Sequence, residues 1–361
     1  MNSTVNRLLR SQMVGPAAAL LLAMLAVSLT TDRFLTSQNL INVSLQVSST
    51  AIVAIGATLV ILTGAIDLSP GSVVALTTCV MAILVKNMGV PVPVAIPMIL
   101  ALGALLGLVN GLLSTYGRIP SFIATLATMI VYRGLAFLVT NGSPIFSVSP
   151  ALEPLFYGNL LGIPLPFYYV VVLYAGAAIF LRNTITGRAI YAIGGNESAA
   201  RLSGIHVNRT RLLAFVLAGL MAAIAGVLMT ARLDSGSPNY GAGMELEAIA
   251  AAVIGGASLA GGYGNIISTL FGALTVAVVQ NGLNLNAVPT SWQNITLGAI
   301  IVLAVGLDMW RTDIARALSK LVPYIGQIGP ARRAGHIGRI GRADAEAPER
   351  QMPPGVGSED G

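Results

Sequence analysis

The sequence predicts an all-α integral membrane protein of about ten transmembrane helices with both termini on the cytoplasmic side. Three observations carry that reading. The 361 residues are 55% hydrophobic and only 9% charged, whereas soluble domains carry about 25% charged residues. Apolar runs approaching the ~20 residues that a bilayer requires recur along the chain between short polar breaks. With the amino terminus inside, 16 of the 20 Lys and Arg residues fall on the cytoplasmic side, and the reverse orientation opposes the positive-inside bias.

Residues 1–13 form a polar cytoplasmic segment with Arg7 and Arg10, and the membrane domain runs from 14 to 310. The first apolar run, Val14 to Thr30, is long for a signal peptide; despite the cleavage-like Ala26-Val27-Ser28 it reads as an uncleaved first helix. Helix two, Val43 to Thr63, ends in Gly64-Ala65-Ile66-Asp67-Leu68-Ser69-Pro70-Gly71-Ser72. That break is too rich in Gly and Pro to continue a helix, and a short third helix follows from Val73 to Val85. Helix four, Val92 to Leu113, carries Gly103, Gly107 and Gly111 at a spacing that gives a flat face for close packing. Helix five spans Ser121 to Val139, and the proline-rich Asn141 to Pro166, without Lys or Arg, reads as an outer connection. Helix six is Phe167 to Leu181 and helix seven Leu212 to Thr230. Helix eight begins after Glu245 and Glu247 and dissolves into the glycine-rich 255–264. Helices nine, Ile266 to Leu283, and ten, Trp292 to Trp310, complete the set.

Between helices six and seven lies the one well-populated polar island, residues 183–211, with Arg182, Arg188, Arg201, Arg209 and Arg211 in or beside it. Glu197 to Leu202 has the composition of a short helix, and Asn196 is its expected N-cap. Such a helix on the cytoplasmic side is placed to dock a soluble partner; the alternative is a solvated loop. After Arg311 the chain becomes rich in Arg, Gly and Pro, and 311–361 reads as a largely disordered cytoplasmic tail. Membrane lipid is the partner considered for its arginines, beside a solvated tail. Asn110-Gly111-Leu112 and Asn281-Gly282-Leu283 end helices four and nine, which on this topology run in opposite senses, so the three-residue match suggests an inverted repeat.

Composition excludes several classes. The formal charge of +6 sits at helix ends and in the tail, not along one face, so no nucleic-acid partner is expected. Cys79 is alone, His206 and His336 lack ligand spacing, and neither Lys86 nor Lys320 lies in a phosphate-binding loop. No cofactor is expected in this chain, and no catalytic constellation or carboxylate relay is visible, so any active pumping needs an external energy source. Polar residues at membrane depth are the remaining candidates. For a translocation pathway these are Gln46, Asp67, Ser69, Asn110, Arg133, Gln280 and Asn281. Their neutral members suit an uncharged polyhydroxylated solute, or equally interhelical hydrogen bonds of about 0.6 kcal/mol each. Ser69 and Ser72 are favoured as caps of helix three, and Arg133 as an ion pair or carbonyl anchor.

Val60-Ile61-Leu62-Thr63-Gly64-Ala65-Ile66-Asp67-Leu68-Ser69 resembles the ILTGGIDLS signature of ribose/xylose-type sugar ABC importer permeases, with Ala65 in place of a glycine and Pro70 where valine is usual. Asn110-Gly111, the Ile119–Leu126 block and Arg133-Gly134-Leu135-Ala136 resemble further blocks of that family in the same order. Residues 187–197 and 202–205 resemble its cytoplasmic coupling segment. The resemblance spans about residues 39 to 310. It implies a bacterial inner-membrane permease that pairs with a second copy, two cytoplasmic ATPase subunits that bind ATP and Mg, and a periplasmic sugar-binding protein. Homodimer and heterodimer stay open. It also implies ATPase coupling by Gly187, Arg188, Tyr191, Gly194, Gly195, Asn196, Glu197, Ala199, Ala200, Arg201, Leu202, Ser203 and Gly204. The alternatives are an ATP-independent sugar transporter or facilitator, and a permease for branched-chain amino acids.

Overall fold

The computed structural model describes residues 13–306. The predicted cytoplasmic segment before Met13, the end of the last predicted helix and the 311–361 tail lie outside the described residues. Within them the chain is almost entirely helical: α1 Val14–Ser28, α2 Ser37–Leu62, α3 Pro70–Ala82, α4 Val92–Thr115, α5 Ser121–Thr140, α6 Glu153–Tyr157, α7 Leu165–Asn183, α8 Ile185–Gly195, α9 Glu197–Leu202, α10 Val207–Leu233, α11 Met244–Ile254 and α12 Ile266–Leu285. A further apolar helix, α13, covers Thr290–Gly306. A π-helical turn, Ile83–Asn87, extends α3. Among the described residues seven helices are long and apolar enough to cross a membrane: α2, α3 with its π turn, α4, α5, α7, α10 and α12. The other three predicted crossings are helical too, but α1, α11 and α13 are shorter.

Several predicted boundaries move. α2 begins at Ser37, earlier than Val43, because the Thr36 side chain accepts a hydrogen bond from the Asn39 amide and caps a polar first turn that hydropathy does not mark. The polar island is not a solvated loop. Thr184 caps α8, Asn196 caps α9, and α10 starts at Val207 with its polar first turn, before the predicted Leu212. The connection 141–166, predicted to be outer, holds α6 and short β elements. Strand β1 (Ile145–Phe146) pairs antiparallel with β4 (Ser235–Gly236), and β2 (Asn159–Leu160) forms a hairpin with β3 (Ile163–Pro164).

The core is organised on α2 and α10. α2 is buried almost all round and packs on α7, α10, α11 and α12; α10 packs on α2, α3 and α4. The predicted glycine face of α4 is realised against α10. A Cβ on Gly103 would lie 2.5 Å from the Gly219 carbonyl, and one on Gly107 only 2.2 Å from that of Phe215. One on Gly111 would meet the Leu212 side chain at 2.6 Å. Backbones come that close only where side chains are absent. α4 ends beside α5's first turn and α12 starts from the glycine-rich turn near the end of α2, so the two helices carrying the Asn-Gly-Leu match run in opposite senses.

Candidate translocation and docking site

Two breaks in the helical framework build the site. The first, residues 63–69, joins α2 to α3; the second, residues 234–243, joins α10 to α11. Irregular backbone at membrane depth persists only where protein or a polar cavity satisfies it, and α5 supplies much of that satisfaction. Near its start, Ser121 Oγ accepts the Ile66 N–H at 3.1 Å, and Thr125 Oγ1 accepts the Leu68 N–H at 3.1 Å. Roughly three turns and ~18 Å farther along α5, Arg133 donates to the carbonyls of Pro238 (2.5 Å) and Tyr240 (2.7 Å) in the second break. One helix therefore pins both breaks, and Arg133 is a carbonyl anchor rather than half of an ion pair.

The breaks approach from opposite ends and meet between the starts of α3 and α11. A Cβ on Gly71 would fall 2.2 Å from the Gly241 carbonyl and 2.1 Å from Glu245 Oε2. α11 begins beside the middle of α2, where Thr50 donates to Glu247 Oε2 at 3.1 Å, and its end packs Ala252 on Ile61 of α2's last turn, where the Gly262 N–H of the following turn donates to the Leu62 carbonyl at 3.0 Å. Two helix N-termini, each carrying partial positive charge, are thus brought to one level, with Asp67, Glu245 and Glu247 close to them.

Asp67, Ser69 and Asn110, predicted from sequence as pathway residues, form one buried chain. Asp67 Oδ1 accepts from the Ser69 N–H (2.8 Å) and hydroxyl (2.7 Å). Asn110 Nδ2 donates to Ser69 Oγ at 2.7 Å, and the Tyr132 hydroxyl lies 3.2 Å from Asn110 Oδ1. The cap role expected for Ser69 and Ser72 is corrected: neither side chain caps α3. Ser69 sits at the N-cap position in a helical conformation, with Pro70 following, and its hydroxyl turns to Asp67. The Ser72 hydroxyl is buried with no partner.

The remaining pathway candidates lie apart from this chain. Gln280 donates to Glu247 Oε1 at 2.8 Å. Asn281 and Asn39 exchange two amide hydrogen bonds, at 2.9 and 3.0 Å, clasping α12 to the start of α2. Gln46 is half-buried on α2 and bonds to none of the others. Sequence reasoning missed Ser121, Thr125, Tyr132, Thr50, Glu245 and Glu247 as site residues. Ser121, Thr125, Thr128 and Tyr132 recur at helical spacing and form a polar stripe on an otherwise apolar span, which was the available signal.

The predicted docking segment sits against the start of the first break. A Cβ on Gly194 would be 2.0 Å from the Leu62 carbonyl and 2.2 Å from the Gly262 nitrogen, and one on Gly262 would be 2.4 Å from the Gly195 nitrogen. Gly64 (φ +76°) and Gly262 (φ +71°) hold left-handed conformations that other residues rarely adopt. Tyr191 donates to the Gly264 carbonyl at 3.0 Å. Gly187 makes the tight α7–α8 corner, its N–H donating to Thr184 Oγ1 at 2.9 Å, while the Arg188 side chain stays exposed. Asn196 Oδ1 accepts the Ala199 N–H at 2.9 Å, as its predicted cap role requires. Ala200 faces inward onto Ile193 and Val207. Ala199, Arg201, Leu202, Ser203 and Gly204 face outward, with Leu202 90% exposed. Glu197 bridges to Arg201 at 3.0 Å and to Arg211 at 2.8 Å. The Arg211 hydrogen bond, ahead of that from Arg201, holds the Glu197 carboxyl below its usual range.

Comparison with known proteins identifies the family. The family described as branched-chain amino acid transport system / permease component matches residues 39–305. The ribose import permease protein RbsC of Escherichia coli (strain K12) is 46% identical, over 80% of this chain and 91% of that protein. RbsC of Bacillus subtilis (strain 168) is 43% identical over 82% and 92% of the two chains. The xylose transport system permease protein XylH of Escherichia coli (strain K12) is 37% identical over 81% and 90%. No solved structure matches.

Proposed function

Because the chain belongs to the branched-chain amino acid transport system / permease component family, we propose that it is the membrane subunit of an ATP-binding cassette importer for a monosaccharide of the ribose or xylose kind. It is a permease homologue in a multi-pass membrane chain, and sugar import is what its similar relatives are named for. In this reading the sugar arrives from a periplasmic binding protein, and a separate ATPase that binds ATP and Mg seats on α8–α9. A second permease copy, identical or not, completes the pathway in the bacterial inner membrane. The seven long helices with α1, α11 and α13 make ten crossings, both termini cytoplasmic. The two breaks, entering from opposite ends, are the halves of an inverted repeat. Asp67, Ser69 and Asn110 are the candidate pathway residues at the join.

The observation that carries the reading is the backbone-to-backbone seat of Gly194 and Gly195 on Leu62 and Gly262. Pressure on the exposed α8–α9 surface has no side-chain cushion there, so it reaches the ends of α2 and α11 directly. The test is sugar uptake in proteoliposomes holding the chain, its cognate ATPase and binding protein. ATP-dependent accumulation is expected; full-rate equilibration without the ATPase points to a facilitator and overturns the proposal. The family description also names branched-chain amino acids, and leucine replacing sugar as the accumulated solute would establish that second reading.

A further inference from the structure

We propose that Arg211 is the residue through which the docking helix α9 drives the first intramembrane break; this rests on the reading of α8–α9 as the ATPase seat. One guanidinium nitrogen of Arg211 donates to Glu197 Oε2 at 2.8 Å and lies 3.3 Å from the Thr63 carbonyl. Three elements meet on that nitrogen: α9, which carries Glu197; the second turn of α10, which carries Arg211; and the C-terminus of α2, which Thr63 caps. Glu197 has a second cation in Arg201, but the two are not equivalent. The Arg201 side chain is 60% exposed and bonds only within α9, while that of Arg211 is 18% exposed and reaches out of it. A cation at the end of α2 also meets the partial negative charge of that helix terminus.

The segment beyond Thr63 makes the link consequential. Gly64, in its left-handed turn, leads through Ala65 and Ile66 to Asp67, whose carboxylate is tied to Ser69 at the start of α3. A displacement of Glu197 is therefore carried by Arg211 to the first residue of the break, and by the break to the Asp67–Ser69–Asn110 chain. Gly194 acts on the Leu62 carbonyl by contact and can only push. Arg211 holds by hydrogen bonds and can also pull. Arg211 is a positioning residue: it touches neither solute nor nucleotide.

The link and its consequence are tested separately. In the full chain alone, hydrogen exchange across residues 64–66 is expected to quicken in R211Q and in E197Q but not in R201Q; unchanged exchange in R211Q overturns the link. In the full chain assembled with ATPase and binding protein, R211Q is expected to co-purify with the ATPase and to hydrolyse ATP near the wild-type rate. Its uptake should fall by about tenfold or more. Loss of co-purification, or equal loss of hydrolysis and uptake, overturns the relay. The double variant E197R/R211E restores the ion pair while leaving a carboxylate beside the Thr63 carbonyl, and uptake is expected to stay low; recovery shows that the ion pair alone mattered and overturns the role of the Thr63 contact. R211K inserts with the charge kept and is expected to retain part of the uptake, which keeps the test decisive if R211Q does not insert. Wild-type uptake without any ATPase sinks the functional reading, whereas the hydrogen-exchange result bears on the link alone.

Discussion

Asp67, Ser69 and Asn110 show how a polar group is kept at membrane depth. Burying a carboxylate without partners is expensive, and here one oxygen receives both the amide and the hydroxyl of Ser69, whose oxygen in turn receives the Asn110 amide. N110L strips the donor from that hydroxyl oxygen and leaves Tyr132 with only the Leu106 carbonyl. The expected cost is about 1–3 kcal/mol, read as a lower Tm of the detergent-solubilised chain. Asp67 and Ser69 were legible because the ILTGAIDLS block announces itself, and Asn110 because it is a polar residue in an apolar run. Tyr132 was not, since a tyrosine in a span carries no pattern until a partner faces it. Glu197 yields a pH prediction at the same scale. Its folded value lies below the ordinary one, so the contribution of the pair is fully present above the ordinary carboxylate range and fades as pH falls through the lowered value. In R211Q the carboxyl should titrate higher than in wild type, as followed by carboxyl-labelled NMR of Glu197. The 43% exposure of the side chain keeps the effect on overall stability small.

At the scale of elements, the α4–α10 contact and the clamp of α5 make the sharpest predictions. Gly107 has the Phe215 carbonyl where its Cβ would stand, so G107A must part the two helices. A cost of about 1–3 kcal/mol is expected, whereas G176A on α7, with open space at that position, should leave Tm unchanged. Arg133 pins the second break through two carbonyls, and R133M should free residues 234–243 to exchange hydrogen faster while residues 63–69, held by Ser121 and Thr125, stay protected. The spacing of glycines on α4 was readable from sequence, but the partner helix was not, because several helices in the chain offer small residues. α8 does not announce itself in sequence, since eleven residues with three glycines look like a breaker until Thr184 caps one end and Asn196 terminates the other.

For the whole molecule, the architecture joins the two breaks at Gly71 and Gly241 and sets α8–α9 against the start of the first of them. G194V forces a side chain into the Leu62 carbonyl and the Gly262 nitrogen. It is expected to let the chain insert yet abolish ATP-coupled uptake, checked in the same proteoliposomes as wild type; normal uptake would count against α8–α9 as the drive point.

Composition, hydropathy and ordered local motifs were enough to establish an all-helical membrane chain, its long helices in order, the short helix behind the Asn196 cap and its family, because each is written in residues close together along the chain. Tertiary structure alone decided which polar residues share a site: it joined Asp67 to Asn110 and Arg133 to Tyr240, and sent Asn281 away to Asn39. Periodicity says which face of a helix is polar, but the partner on the facing helix is set by three-dimensional packing across long stretches of sequence, and that information is not local.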